Sequence, residues 1–392
     1  MINPVLAGVG AIPVTRDLES PLPDMAARVA REALVDAGIP ASEVDGLFVT
    51  PAALSGEPWM MWAAGLAEYL GVRTHGLMMT ENGGITALLA LRAAMDAVAM
   101  GRVKVALVIA TDTRPLIDTG HFESFVRNVT FTAMSLWGPV EGMMGLGAPV
   151  PVYAMSAQRY MHEYGASEED VAEASVILRE HSSQHPLAQF RDKVTVEDVL
   201  NSPTLSPPIR LMQAASISTG AAAVVVAAPE VLNGSAGDAV KVTGWGEHHD
   251  PSHFIPREGP ITSFVSVQQA AASAFEQSGR SLADIDVAEV YGVFGATELM
   301  IYEDLGFCEK GSAAAFVKEG RSTFGGDVVI NPTGGRISFG HPAGATPLYQ
   351  VVEVVRQLRG IAPGGQVDNA NVGLVHAEHG MLNGSIVMVM EH

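Results

Sequence analysis

Apolar positions along the chain fall into a pattern that occurs twice. In AREALVDAGIPASEVDGLFVT (Ala30 to Thr50) small apolar residues recur at helical spacing, stop at Ala37 and Gly38, and give way to a strand-like LFV. AAASAFEQSGRSLADIDVAEVYGVF (Ala270 to Phe294) repeats that plan, with Ser278 and Gly279 at the stop. Glycine after a last helical turn adopts the left-handed conformation at little cost, so the matching positions make physical sense. A second pair is GGITALLALRAAMDAVAMG (Gly83 to Gly101) and GATPLYQVVEVVRQLRG (Gly344 to Gly360), each predicted as a glycine-led helix ending in glycine. Each is followed by a continuous apolar run, from Val105 and from Val372, of the kind found in strands covered on both faces. The runs from Ala221 and Gly384 form a third pair. Matched elements in the same order predict two similar α/β halves, each a mostly parallel sheet layered with helices.

Between them, from about Pro115 to Pro208, the composition shifts towards Met, Phe, Tyr, His and charge. Ser167, followed by three acids, reads as a helix cap there. This stretch is expected to be an insertion in the first half. The predicted division is 1–115 plus 206–247 for the N-terminal half, 116–205 for the insertion and 248–392 for the C-terminal half.

Composition narrows the function classes. The formal net charge of −20 over 392 residues disfavours a general nucleic-acid partner, and 48% hydrophobic residues suit large buried cores. Cys308 is the only cysteine, which excludes an internal disulfide framework and cysteine-based zinc clusters and makes a reducing cytosol the default. The start, MINPVLAGVGAIPVTRD, is unlike a signal peptide, and no uncharged apolar run approaches the ~18–20 residues that span a bilayer. A cytoplasmic protein is expected.

Ligands of layered α/β folds gather at strand C-termini and helix N-termini. Polar clusters precede both glycine-led helices: TENGG (Thr80 to Gly84) and NPTGGRISFGHPAGATP (Asn331 to Pro347). His341, between Gly340 and Pro342, is placed to polarise a carbonyl oxygen at such a terminus. Neither glycine-rich string has the lysine and spacing of a phosphate loop. Glu247, His248, His249, Asp250 and His253 have metal-ligand chemistry, but adjacent histidines in a polar loop more often face solvent, so no metal is expected.

NPTGGRISFGHPAGATP resembles the N-x-x-G-G-x-x-x-x-G-H-P-x-G-A-T signature of thiolases. Tyr291 to Gly320, RYMHEYGASEEDVA and HPLAQFRDKVTVEDVL resemble the sterol-carrier-protein-x branch of that superfamily, and the resemblance extends from Val5 to the C-terminus. It implies a thiolase fold: two βαβαβαββ halves in an α-β-α-β-α layering with an inserted loop domain. It also implies a coenzyme A thioester as substrate, with no further cofactor.

Carried over residue by residue, the family's nucleophilic cysteine falls on Glu81, its asparagine loop on Tyr291 and its second cysteine on or beside Glu378, while the G-H-P histidine is His341. The catalytic cysteines are thus missing, and Cys308 lies in a different segment. Without a thiolate there is no acyl-enzyme. The expected catalytic set is His341, Tyr291, Glu81, Glu378 and His379, with Asn82, Gly83, Gly344, His376 and Gly380 binding substrate. The expected reaction is at the carbon–carbon bond beta to the thioester, of retro-aldol, lyase or condensation type, in lipid or sterol-like acyl-CoA metabolism. The alternatives are a conventional acetyl-CoA acyltransferase and a non-catalytic acyl-CoA-binding or scaffolding subunit. The resemblance further implies a homodimer and a small partner with an OB-like fold and a zinc ribbon. Arg210 or Lys318 would supply local positive charge for coenzyme A.

Overall fold

The computed structural model describes residues 2–51, 61–113, 149–232, 238–252, 258–380 and 383–392, so residues 116–148 of the expected insertion, and His253, lie outside the described residues. In chain order the first elements are β1 (Val5–Ala11), α1 (Leu22–Ala37), β2 (Gly46–Val49), α2 (Trp62–Leu70), β3 (Gly76–Met79), α3 (Thr86–Ala99) and β4 (Val105–Asp112). Next come α4 (Val150–Tyr164), α5 (Glu168–Gln184), α6 (Val196–Asn201), the short strands β5 (Thr204–Ser206) and β6 (Ile209–Arg210), and β7 (Gly220–Ala227). The remainder is β8 (Val240–His249), α7 (Val265–Ser278), β9 (Val287–Glu289), α8 (Gly295–Leu305), α9 (Ala313–Lys318), β10 (Val329–Ile330), α10 (Gly335–Phe339), α11 (Thr346–Leu358), β11 (Val372–His379) and β12 (Gly384–Glu391).

Among the described residues ten strands form one sheet in the order β10-β9-β11-β12-β8-β1-β7-β4-β2-β3. Each side repeats one plan. β2 runs parallel to β3 and β4, while β7 is antiparallel to β4 and β1. Likewise β9 runs parallel to β10 and β11, while β12 is antiparallel to β11 and β8. The two sets meet where Val5 and Leu6 pair with Lys241 and Val240. Each half is therefore mixed, where a mostly parallel sheet was expected. The reason is connectivity: helical crossovers make β2, β3 and β4 parallel, whereas only four residues separate β11 from β12, too few for a parallel crossover.

The duplicated signals have structural counterparts. Gly38 and Gly279 cap α1 and α7 with φ of 65° and 68°. Every residue of β4 and β7 is buried, which explains their continuous apolar runs. The glycine-led helices begin later than expected, at Thr86 and Thr346. Gly83 adopts φ 54°, and residues Ala343–Ala345 form a separate tight turn ahead of α11. Ser167 caps α5 through a reciprocal pair with Asp170, as expected.

A fourth repeat lies in β1 and β8. A Cβ on Gly8 or Gly10 would collide with the α1 carbonyls of Ala33 and Val29, and one on Gly244 or Gly246 with the α7 carbonyls of Ala274 and Ala270. Both outer helices thus rest on strand glycines two residues apart, where only glycine lets helix and strand backbones approach so closely. The expected division after residue 247 falls within β8, which runs unbroken to His249 and packs on α7 and β12.

One core cluster lies around α1; a larger one spans α3, α11 and the C-terminal half. The helices α3 and α11 contact each other, so the loops that lead into them meet at one place. Among the described residues no helix is long and apolar enough to cross a membrane.

Candidate active site

The loops after β9 and around the end of β11 converge on the loops ahead of α3 and α11. At Gly84 a side chain would collide with the Glu378 carbonyl and come within 2.8 Å of the Tyr291 hydroxyl. The loop of the first half is thus laid directly on groups of the second.

His341 is buried and held from several sides. Its N–H donates to Ser216 O at 3.0 Å, and its carbonyl accepts from Ser218 N, also at 3.0 Å. Its Nδ1 lies 2.9 Å from Thr346 Oγ1. That hydroxyl also donates to Pro342 O at 3.3 Å. Its Nε2 faces the Tyr291 hydroxyl at 3.5 Å. Burial, helped by the Arg336 cation, pushes the imidazole down to about 3. His341 is therefore a neutral ring with Nε2 aimed into the site, and the tautomer protonated at Nε2 is the one suited to an oxyanion.

Tyr291 packs edge-on against His341, with ring centroids 5.4 Å apart. Burial first, and then the Glu378 charge, raises its phenol well above the ordinary range, so it remains a donor. Its backbone N–H donates to His376 Nδ1 at 3.4 Å, which places the His376 proton on Nε2. Burial alone takes His376 down to about 3, and its buried Nε2 has no partner among the described residues. Glu378 is buried, and its Oε1 lies 3.1 Å from the hydroxyl of Tyr153, a residue of α4. The same hydroxyl is 2.6 Å from Gly380 O, and its ring packs on Phe294 with centroids 4.8 Å apart.

The other expected residues are placed differently. Glu81 and Asn82 are exposed; Asn82 uses its backbone N–H to bond Thr86 Oγ1 at 2.7 Å, which fixes the loop at the start of α3. Gly83 packs on the Cβ of His379. The His379 side chain turns outward, stacking on His249 with Nε2 2.9 Å from its Nδ1, while His249 Nε2 lies 2.7 Å from Glu247 Oε1. Gly384, between the two rings, leaves the space they occupy. His248 pairs with Glu258 at 3.1 Å, and Asp250 accepts the Glu258 N–H. Among the described residues no three such side chains are grouped to hold a metal.

The amide of Gly344 donates to Asp112 Oδ2 at 2.8 Å and so cannot also serve a substrate oxygen. Asp112, buried at the end of β4, ties the G-H-P loop to the first half; the strand-end rule would have singled it out. Arg210 binds Glu168 at 2.7 Å and Lys318 binds Asp170, so both expected coenzyme A cations serve the first turn of α5. Cys308 is half-buried after α8, and burial together with Glu303 pushes its thiol up to about 11, away from thiolate character.

Behind the site lies a buried polar layer. Arg336 reaches Glu289 Oε2 at 3.3 Å and Thr346 O at 3.4 Å. Glu289 also accepts from the Thr333 hydroxyl and amide. Glu298 Oε1 accepts from Tyr302 at 2.8 Å and Asn331 at 2.5 Å, while its Oε2 has no partner among the described residues. Burial raises Glu289 to about 7 and Glu298 to about 8. This layer supports Thr346 and Asn331, and hence the loops that carry His341 and Tyr291.

Residues 246–392 match the family model described as thiolase C-terminal domain-like. The chain is 35% identical over 295 residues to the benzoylsuccinyl-CoA thiolase subunit BbsB of Thauera aromatica, covering 74% of this chain and 73% of that protein. It is 31% identical over 358 residues to sterol carrier protein 2 of Rattus norvegicus, covering 90% of this chain and 65% of that protein. Among solved structures it is similar to the Ltp2-ChsH2(DUF35) aldolase, with a TM-score of 0.81 and 26% identity over 98% of this chain and 97% of that one. Together with the fold and the G-H-P loop, these likenesses show that the chain belongs to the thiolase superfamily, in its SCP2-thiolase-like branch.

Proposed function

We propose that this thiolase-like protein cleaves or forms the carbon–carbon bond beta to the thioester of an acyl-CoA, without a cysteine nucleophile. The observation that carries this reading is the facing pair of the His341 Nε2 and the Tyr291 hydroxyl, both groups held neutral by burial, beside the buried Glu378. One donor for an enolate oxygen, one hydroxyl for the beta oxygen and one carboxyl for the alpha carbon form a set for proton transfer around a carbon–carbon bond.

In the cleavage direction Tyr291 donates a hydrogen bond to the beta oxygen, and the beta-hydroxyl proton passes to the Glu378 carboxylate as the Cα–Cβ bond breaks. The beta carbon becomes a carbonyl, and the bonding pair moves into the thioester enolate, whose oxygen is stabilised by His341. Glu378 protonates Cα, giving the shorter acyl-CoA. Condensation runs the same steps backwards. The likeness to an aldolase supports this class, as does the position of the lone thiol outside the site.

Two assembly features belong to this reading. Among the described residues the edge strand β3 pairs only with β2 and exposes Leu77, Met78 and Met79 at 46, 43 and 45%. An apolar sheet edge of this kind calls for a partner, and a second copy pairing edge to edge makes a homodimer. The similar aldolase is a complex with a DUF35 protein, which supports a small partner of that kind here, and the protein is read as cytoplasmic. The reading is tested by incubation with β-hydroxyacyl-CoA candidates and assay of carbonyl release. His341→Ala should lower turnover by on the order of a hundredfold or more, as expected for loss of an oxyanion donor; an equally fast variant refutes the assignment.

A further inference from the structure

Asn331 follows β10 and opens the loop that leads through α10 to His341. It is fully buried, and its backbone is left-handed at φ 55°, a conformation that asparagine tolerates better than most residues with a Cβ. Its main chain is fixed first. The N–H donates to Ala288 O at 2.7 Å, while the carbonyl accepts from Gly334 N at 2.8 Å and lies 2.9 Å from His181 Nδ1.

The side chain then reaches towards Tyr291. Its Oδ1 accepts from Val290 N at 2.8 Å, one residue before Tyr291, and its Nδ2 donates to Glu298 Oε1 at 2.5 Å. A backbone N–H can only donate, which fixes the amide oxygen on Val290 and the amide nitrogen on Glu298. Glu298 in turn lies against Gly292, one residue after Tyr291: a Cβ there would stand 1.7 Å from Glu298 Oε2. A Cβ at Gly335 would likewise come within 2.8 Å of Asn331 Nδ2. Two glycines, one in each loop, thus leave the space that the amide and the carboxyl fill. Burial raises the Glu298 carboxyl, Tyr302, Asn331 and the Arg336 cation lower it, and Glu289 raises it.

We propose that Asn331 is a positioning residue whose one amide spans the two loops that carry Tyr291 and His341, and so sets the Tyr291 hydroxyl against the His341 ring. The 3.5 Å between that hydroxyl and Nε2 is held from behind by this bridge. This rests on the reaction class given above and names what keeps its two groups in register. Loss of the amide releases Val290 N–H, and the turn at Tyr291 shifts while every reacting group stays chemically intact.

Labelling the full chain with 3-fluorotyrosine lets fluorine NMR read the Tyr291 ring without substrate, its signal being assigned by its loss in Tyr291→Phe. A wild type inactive towards β-hydroxyacyl-CoA esters would remove the reaction class and leave this measurement standing. Asn331→Gly deletes the amide and suits the left-handed backbone, so it adds no strain. Its Tyr291 signal should move or broaden, while that of Tyr349, held by Ile12 O and Ala221 N, stays in place. In an active enzyme kcat should fall by on the order of tenfold to a hundredfold, with KM within about twofold of wild type. Asn331→Asp keeps the acceptor for Val290, and a proton shared with Glu298 replaces the lost donor. It should therefore match wild type near pH 6 and approach Asn331→Gly as the carboxyl pair ionises at higher pH. A folded Asn331→Gly whose Tyr291 signal is unmoved, or whose kcat in an active enzyme equals that of wild type, overturns the proposal. If Asn331→Gly does not fold, a Tyr291 signal of Asn331→Asp that stays at the wild-type position from about pH 6 to about pH 9 overturns it.

Discussion

Thr346 Oγ1 lies 2.9 Å from His341 Nδ1, and this contact fixes the orientation of the ring. Both residues belong to the same short loop, yet the hydroxyl reaches the ring only because the turn Ala343–Ala345 folds the chain back before α11 begins. Thr346→Val keeps the β-branched shape and removes the donor. We expect about a tenfold loss in kcat/KM, falling mainly on kcat, from weakened orientation of one hydrogen bond. Nitrogen NMR of the ring should show a mixture of tautomers in place of one.

Gly84 marks where the two halves touch. Alanine there collides with the Glu378 carbonyl and crowds the Tyr291 hydroxyl, so Gly84→Ala should cost on the order of a hundredfold in turnover through misplacement of reacting groups. Gly65, in α2, has open space around its position. Gly65→Ala should leave turnover unchanged and stabilise the fold by about 1 kcal/mol, which urea titration of both variants will check.

The buried layer makes stability depend on pH. Glu298 has a folded value of about 8 against an ordinary 4.5, so the native state binds its proton more tightly than the unfolded chain does. Its acid form is favoured below about pH 4.5, and native stability falls as pH rises from there through about 8. Glu289, at about 7, acts in the same direction. Melting temperature should therefore decline between pH 5 and 8, and Glu298→Gln, which cannot ionise, should flatten the slope.

The exposed strand β3 predicts self-association. Met78→Lys places a charge in the edge and should convert a dimer, measured by analytical ultracentrifugation, into a species near the mass of one chain. A wild-type protein that sediments as a single chain at micromolar concentration would contradict the pairing.

Much of the architecture could be read from local signals. Gly38, Gly279 and Ser167 act within their own turns, and the buried strands show as apolar runs because both faces are covered. The mixed strand directions were not visible, since β7 returns beside β1 through contacts distant in sequence. In the site, His341 stood out because its loop is a contiguous motif. Tyr153 did not, because its partner Glu378 is 225 residues away and nothing near it in sequence announces the contact. Glu81 shows the converse: aligned to a nucleophile position, it points to solvent, whereas the glycine three residues on makes the closest approach.

Cys308→Ser puts carbon–carbon bond chemistry without a cysteine to a direct test. The variant and wild type, each with any DUF35-type partner that co-purifies, are incubated with aliphatic, aromatic and steroid-side-chain β-hydroxyacyl-CoA esters. Released aldehyde or ketone and shortened acyl-CoA are quantified together. Equal amounts of the two products are expected, at the same rate in Cys308→Ser and wild type, with a large loss in Tyr291→Phe. Product formation that requires free coenzyme A and disappears in Cys308→Ser would contradict it.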